Sequence, residues 1–315
     1  MWVLVTLVAA GFQTVRTALQ HRLRDVLSVG GSGFVRYLYG APLALAAVGV
    51  MVAAGIDLQA PPARFWPIVA TAGAAQVVAT VCLIKAFDTS NFAVGTVYSK
   101  TEVVQTAILS AVLLGEPLSP IGWVAAVVVF LGVVALATSN SPRAAVAPST
   151  PRFWHSCRSA TSRRDVLLRH ERAMGFGLAA GGLFGITAIC MRAGSTSLGD
   201  APAVVRALLT LATMNTMQTM MQGAYLAVVE PRQITAAVRH WRSSAVVGVL
   251  SVCGSAGWTL AFTLQNAAKV RTLGQVELLF TFVAARWWIG ERHSFRQYAA
   301  AAVVVAGVLM VVVTG

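Results

Sequence analysis

Ten apolar runs, 18 to 27 residues long, alternate with short polar breaks along the chain: 1–20, 33–54, 66–87, 92–114, 119–138, 174–191, 203–229, 243–264, 268–289 and 295–314. An α-helix rises 1.5 Å per residue, so about 20 residues cross a hydrocarbon core of about 30 Å. Runs of this length predict membrane helices. The breaks hold residues that end such helices: His21 to Asp25 after the first run, Pro61-Pro62 before the third, Asp88 to Asn91 before the fourth and Glu116-Pro117 after it. Run 1–20 lacks the positive start of a secretory signal and is read as the first span. Its Gln13, Thr14, Arg16 and Thr17 form a polar stripe that a helix facing only lipid would not tolerate. One long hydrophilic stretch, 139–172, separates runs five and six.

The fourth and ninth runs share a pattern. Asn91 and Asn266, Glu102 and Glu277, Thr106 and Thr281, Gly115 and Gly290, and Glu116 and Glu291 are each 175 residues apart. Ala86-Phe87 matches Ala261-Phe262, and Gly132 matches Gly307, at the same spacing. Nearer the start of each half the spacing is 170, pairing Gly11 with Gly181, Thr17 with Thr187, Arg22 with Arg192 and Arg36 with Arg206. Such self-similarity predicts a duplication. The expected organisation is a first five-helix repeat, 1–138, an Arg-rich linker, 139–172, and a second five-helix repeat, 173–315. Five crossings per half is an odd number, so the second repeat enters the membrane inverted. The fold class is then all-α integral membrane, with ten transmembrane helices in two inverted repeats. That architecture recurs in secondary transporters, whose sites lie near the midplane between the repeats.

Composition agrees, with 57% hydrophobic and only 11% charged residues, too little charge to solvate a globular surface. The net charge of +13 would suggest nucleic acid in a soluble protein, but here arginine gathers between the apolar runs. Seven of the arginines lie in the linker, whose only aromatics are Phe153 and Trp154, so a nucleic-acid partner is not expected. The connections after runs one, five, seven and nine carry 14 Lys and Arg, against 4 on the other side. By the positive-inside bias the linker is cytoplasmic and both termini are outside. The four cysteines are scattered without a C-x-x-C pair, and the five histidines all fall in connections. Neither a disulfide frame, a metal site nor an enzyme signature emerges, and no cofactor is expected.

The ten runs, the duplication, the stretches from Ala86-Phe87 through Leu113-Leu114-Gly115-Glu116 and from Gly122-Trp123 to Gly132, and their partners through Gly290-Glu291-Arg292 to Gly307 resemble the drug/metabolite transporter superfamily, specifically its EamA-type members. The resemblance covers nearly the whole chain apart from the linker. It implies an export-type carrier of small organic metabolites or amino acids in the inner (cytoplasmic) membrane, often proton-coupled, with a cavity lined largely by the first, third, fourth, sixth, eighth and ninth helices. It also implies cytoplasmic termini, opposite to the orientation that the charges favour. The implied partners are a small-molecule substrate, protons and the lipid bilayer, with a homodimer left open. Two other readings stand beside it: a non-transporting adaptor that binds through the linker, and a lipid-modifying membrane enzyme.

Glu102 and Glu277 are the leading pathway candidates, because an acid midway along a membrane helix costs about 2.5–3.5 kcal/mol and should face a partner or a wet cavity. A desolvated carboxyl can bind and release a proton near neutral pH, which makes either acid a coupling candidate; the alternative is a structural acid paired with Arg or Lys. Tyr98 and Thr106 share a face with Glu102, and Thr281 shares one with Glu277. Lys100 faces away from Glu102 and is free to pair with another helix. Gln13, Thr17, Gln76, Thr187, Trp258 and Gln275 are expected to line the cavity. Arg36, Arg206, Lys269 and Arg271 are candidate gating charges, or else snorkel to the interface. Gly177, Gly181 and Gly185 should admit a neighbouring backbone.

The charge count predicts an extracytoplasmic C-terminus. A reporter that is active only in the cytoplasm, fused after Gly315, should be inactive; full activity would reverse the orientation.

Overall fold

The computed structural model describes residues 1–23, 26–58, 60–89, 92–139, 163–284, 286 and 294–313, and among them it contains helices and no strand. In chain order the helices are α1 (Trp2–Leu23), α2 (Val29–Ala53), α3 (Phe65–Thr89), α4 (Phe92–Ser99), α5 (Glu102–Leu113), α6 (Pro120–Ser139), α7 (Arg163–Thr196), α8 (Ala203–Val229), α9 (Pro231–Arg239), α10 (Trp241–Leu264), α11 (Ala267–Gly274), α12 (Val276–Ala284) and α13 (Phe295–Val313). Seven of the spans, in α1, α2, α3, α6, α7, α10 and α13, are long and apolar enough to cross a membrane. The protein is a mostly helical, multi-pass membrane protein.

Its surface is apolar, with Leu4, Val112 and Val228 fully or largely exposed, whereas many of its completely buried positions are small, among them Ala72, Ala79, Ala125, Ala126 and Ala188. Lipid solvates the large aliphatic groups, so helices gain by bringing backbones together over small residues. The α6–α13 contact is the clearest case. A Cβ on Gly132 would lie 2.9 Å from the Val304 nitrogen, and one on Gly307 would lie 2.9 Å from the Val129 nitrogen. The contact is reciprocal, because Val129 and Val304, like Gly132 and Gly307, are 175 residues apart. Elsewhere α7 packs along α3 and the α4–α5 pair, α1 packs along α10, and α2 packs against α8.

The three α7 glycines behave as expected from their spacing. Cβ atoms at Gly177, Gly181 and Gly185 would meet the Tyr98 side chain, the Ser99 carbonyl and the Thr106 hydroxyl at 2.6, 2.9 and 3.0 Å. The polar face of the fourth run is therefore bedded on α7. Asn266 caps α11, its side-chain oxygen accepting from the Ala268 and Lys269 amides. Its counterpart Asn91 lies outside the described residues, as do Gly290 and Glu291.

Four features differ from the sequence expectation. The fourth run is two helices, α4 and α5, and the ninth is α11 and α12. The second span starts earlier, at Val29, because Ser28 caps it by accepting from the Gly31 amide. Helix α7 starts at Arg163, inside the stretch expected to be linker. A further short helix, α9, carries exposed Arg232 and Arg239 and buries only Ala237. It is held to the α1–α2 turn, since the Ser28 hydroxyl donates to Glu230 (2.6 Å), the Ser28 amide to Gln233 (2.9 Å) and the Tyr39 hydroxyl to the Ala237 carbonyl (3.2 Å).

The reciprocal glycine contact makes a direct prediction. Gly132→Ala and Gly307→Ala should each destabilise the protein by about 1–3 kcal/mol through overpacking. Gly49→Ala, where a Cβ meets nothing within 4 Å, should be neutral or slightly stabilising. Thermal unfolding in detergent decides it, and equal midpoints for all three variants would refute the close contact.

Candidate functional site

The two interrupted helices build the site. At Thr101 and again at Gln275 the backbone stays in the right-handed helical region, but bonding tightens from i→i+4 to i→i+3. Val103 donates to the Lys100 carbonyl at 3.4 Å, and Leu278 to the Gln275 carbonyl at 3.0 Å. Each step puts an acid in the first turn of the helix that follows, Glu102 in α5 and Glu277 in α12. Free amides at a helix start favour negative charge.

Each acid is paired with a cation of the other interrupted helix. Lys100 Nζ lies 2.5 Å from Glu277 Oε1, and Arg271 Nε lies 2.9 Å from Glu102 Oε1. The first pair is a hydrogen-bonded ion pair. In the second, the Nε–Oε1 contact is not aligned as a hydrogen bond, so it acts through charge. All four side chains are less than one-fifth exposed. Gln13 of α1 joins the group, donating to Glu277 Oε2 and accepting from Trp258 Nε1 at 3.0 Å. The Arg271 guanidinium lies 5.4 Å from the ring centres of both Trp258 and Phe262, within range for a cation–π contact. Gly274 leaves room for the Trp258 ring, which any side chain there would strike.

The structure thus brings Gln13, Glu102, Glu277, Trp258 and Arg271 together, with Gln275 buried beside them at the α11–α12 step. Arg271 stands in this cluster, with an acid and two aromatic faces within its reach. The other predicted positions lie elsewhere. Thr17 and Thr281 are exposed and donate to carbonyls of their own helices, at Gln13 and Glu277. Thr187 is buried at the α3–α7 contact, donating to Leu183 O at 2.9 Å. Gln76 accepts from Gln218 Nε2 at 2.7 Å between α3 and α8. Tyr98 and Thr106 face α7, because its glycines admit that side of the helix. Arg36 is buried, its Nε donating to Ser251 at 3.2 Å. Arg206 has a buried Nε with no hydrogen-bond partner, and Lys269 is half-buried in the first turn of α11.

Lys100 and Arg192 were not among the predicted site residues. A signal for Lys100 was present: a lysine in an apolar run needs an acid, and its own helix offers none on its face. Arg192, at the end of α7, grips Glu116 with two bonds of 2.6 and 2.7 Å and donates to the Phe262 and Gln265 carbonyls at 2.9 and 2.8 Å. Asn266 adds a bond to the Glu116 carbonyl at 2.8 Å. This clamp ties the ends of α5, α7 and α10 together, beside an open pocket of about 290 Å³ that also reaches Arg64 and Ile68. Arg192 pairs with Arg22 in the repeat, which gave no hint of its partner.

Buried, crossed ion pairs at the interruptions of two apolar helices define a membrane protein with a polar centre. The sequence pattern of the EamA-like transporter family matches residues 1–138 and 172–313, and the chain belongs to that family. A solved structure described only as "Crystal structure of protein" superposes with a TM-score of 0.72 at 13% identity, covering 99% of this chain and 96% of the other, which establishes a shared fold. No curated protein matches the chain.

Removing one member of a buried ion pair leaves the other uncompensated. Lys100→Met and Glu277→Gln should each cost about 3 kcal/mol, and the double variant clearly less than their sum. Unfolding midpoints of the four proteins in detergent check this; strict additivity would mean the pair is not coupled.

Proposed function

We propose that the chain is a secondary carrier that exports a small organic metabolite or amino acid across the cell membrane by alternating access between two inverted five-helix repeats. The observation that carries this reading is the crossed pairing of Lys100 with Glu277 and of Arg271 with Glu102 at the steps of two interrupted helices. Interrupted helices of this kind recur at the substrate sites of carriers built from inverted repeats. Family membership, the 175-residue spacing and the reciprocal Gly132 and Gly307 contact support the two-repeat arrangement. In this reading α4 with α5, and α11 with α12, each form one span, α8 another, and the count becomes ten.

The crossed pairs suit alternating access because each joins one repeat to the other. When the repeats rock, a pair must open, and a carboxylate left alone in low dielectric is neutralised by a proton or by a cationic group of the substrate. Glu277 is our choice for the coupling acid. It holds both Lys100 and Gln13, from two different helices, so its protonation would release both. The linker is cytoplasmic and the termini are outside, as the charge distribution favours.

Reconstituted protein with an imposed pH gradient tests this. Wild type should show gradient-driven flux of at least one metabolite class. Glu277→Gln should abolish the response to the gradient while keeping substrate exchange. Gradient-driven flux surviving in both Glu277→Gln and Glu102→Gln would remove proton coupling through these acids. An absence of flux for every class would remove the carrier reading.

A further inference from the structure

Among the described residues, two arginines close to the crossed pairs have no ion-pair partner. Arg16 lies one turn beyond Gln13 on α1, and the packing of α1 and α2 against α10 sets it beside Arg36. Gln20, one turn further along α1, donates from Nε2 to the Ser32 carbonyl near the start of α2 at 2.9 Å, which ties the two helices together beside their turn. On α10, a Cβ at Gly254 would lie 3.6 Å from the Ala9 carbonyl and 3.7 Å from the Gln13 amide nitrogen. Three residues onward along α1 and three back along α10 set Arg16 opposite Ser251, the residue whose hydroxyl accepts from Arg36 Nε at 3.2 Å. Arg36 and Glu277 both lie near enough to act on the Arg16 charge.

The charge balance at this point is positive. Glu277 is taken by Lys100 and Gln13, and Glu102 by Arg271. Among the described residues neither Arg16 nor Arg36 has an acid within 4 Å. Arg16 Nε is buried without a hydrogen-bond partner, and the group's one side-chain bond is a 3.4 Å contact with Thr17. Arg36, 8% exposed, commits only Nε to hydrogen bonding and leaves both terminal nitrogens uncommitted, with its guanidinium 5.3 Å from the Tyr37 ring centre. Two neighbouring guanidinium groups repel each other. One carboxylate or phosphate between them relieves that repulsion, because each planar fork matches two oxygens. The second repeat offers no equivalent. Arg206 matches Arg36, but Ile186 stands where Arg16 would be, so there is one such place per chain.

We propose that Arg16 and Arg36 together bind the carboxylate or phosphate group of the transported molecule, so that the substrate is a small organic anion. The proposal rests on the carrier reading for the word "transported", and on geometry alone for the anion site.

Ligand binding to the purified full-length protein in detergent tests it, by calorimetry and by unfolding midpoint, with succinate, glucose 6-phosphate, choline and glucose as probes. Succinate or glucose 6-phosphate should bind saturably and raise the midpoint, while choline and glucose should not. Arg16→Gln and Arg36→Gln should each weaken anion binding about tenfold or more, and the Lys variants by less, since they keep the charge but lose the fork. Neither Gln variant should lower the ligand-free midpoint, because each removes an uncompensated charge. Exposed Arg242→Gln should bind as wild type does. Stabilisation by choline or glucose equal to that by the anions, unchanged anion binding in both Gln variants, or a ligand-free midpoint lowered by both Gln substitutions would each overturn the proposal. Flux in proteoliposomes separates it from the carrier reading. Anion binding through these arginines without flux of any probe keeps the site and sinks the carrier, whereas choline flux that ignores both arginines keeps the carrier and sinks the site.

Discussion

Ionised side chains in the low-dielectric centre of a helical bundle have to find partners, and this constraint organises the structure. Glu102, Glu277, Lys100 and Arg271, left unpaired, would together cost on the order of 10 kcal/mol to hold within a membrane. Pairing within one span is not available: Lys100 points away from Glu102, and the side of α5 that follows Glu102 is packed on α7. Each acid instead reaches the cation of the other interrupted helix. The tightened turns at Lys100-Thr101 and Gln275 set both acids at helix starts, and the α7 glycines let that helix come close enough to support the first step. Gly274 and Trp258 serve the second step in another way, with the indole filling the space a side chain would have taken and donating to Gln13.

Away from the centre, cohesion comes from close approach and from seals at the two ends. The α6–α13 contact has so little space that neither glycine tolerates a Cβ without a backbone shift. At one end Arg192 joins Glu116 to the last carbonyls of α10, satisfying groups that a helix end would otherwise leave orphaned. At the other, α9 is stitched to the α1–α2 turn through Ser28, Gln233, Glu230 and Tyr39. These contacts are discrete and polar, whereas the small-residue helix faces act through close backbone approach.

Much of this was legible in the chain. Apolar run length located the seven long spans because the hydrocarbon thickness admits few alternatives, and the four-residue glycine spacing marked the tight face of α7. The exceptional acids were visible for the same reason, since charge inside an apolar run always needs an account. The interruptions in the fourth and ninth runs were not legible, because a single tightened turn leaves the apolar count unchanged. Partner choice was hidden too. Thr17 and Thr281 look like pathway residues by polarity, yet a threonine hydroxyl satisfies itself on the carbonyl four residues back and need not face water. Lys100 and Arg271 find their acids only after two sequence-distant segments meet, and Arg16 becomes notable only when its neighbours prove to be a second arginine and an acid already engaged.

Divergence between the repeats matters as much as their likeness. Glu102 and Glu277 are equivalent by the 175-residue spacing, but their cations are not: Lys100 corresponds to Gln275, and Arg271 to Thr96. With two identical repeats, the inward-open and outward-open states of the proposed carrier would be interchangeable and equal in energy. Replacing a symmetric set of charges by Lys100 on one side and Arg271 on the other makes the two pairs unequal, one hydrogen-bonded and joined by Gln13, the other held by charge and by two aromatic faces. In the proposed carrier such pairs would open with different ease and separate the two states in energy. Arg16, opposite Ile186 in the repeat, adds to the same imbalance by setting positive charge in only one half. A duplicated scaffold supplies two related conformations, and its unmatched residues decide which one a bound molecule favours.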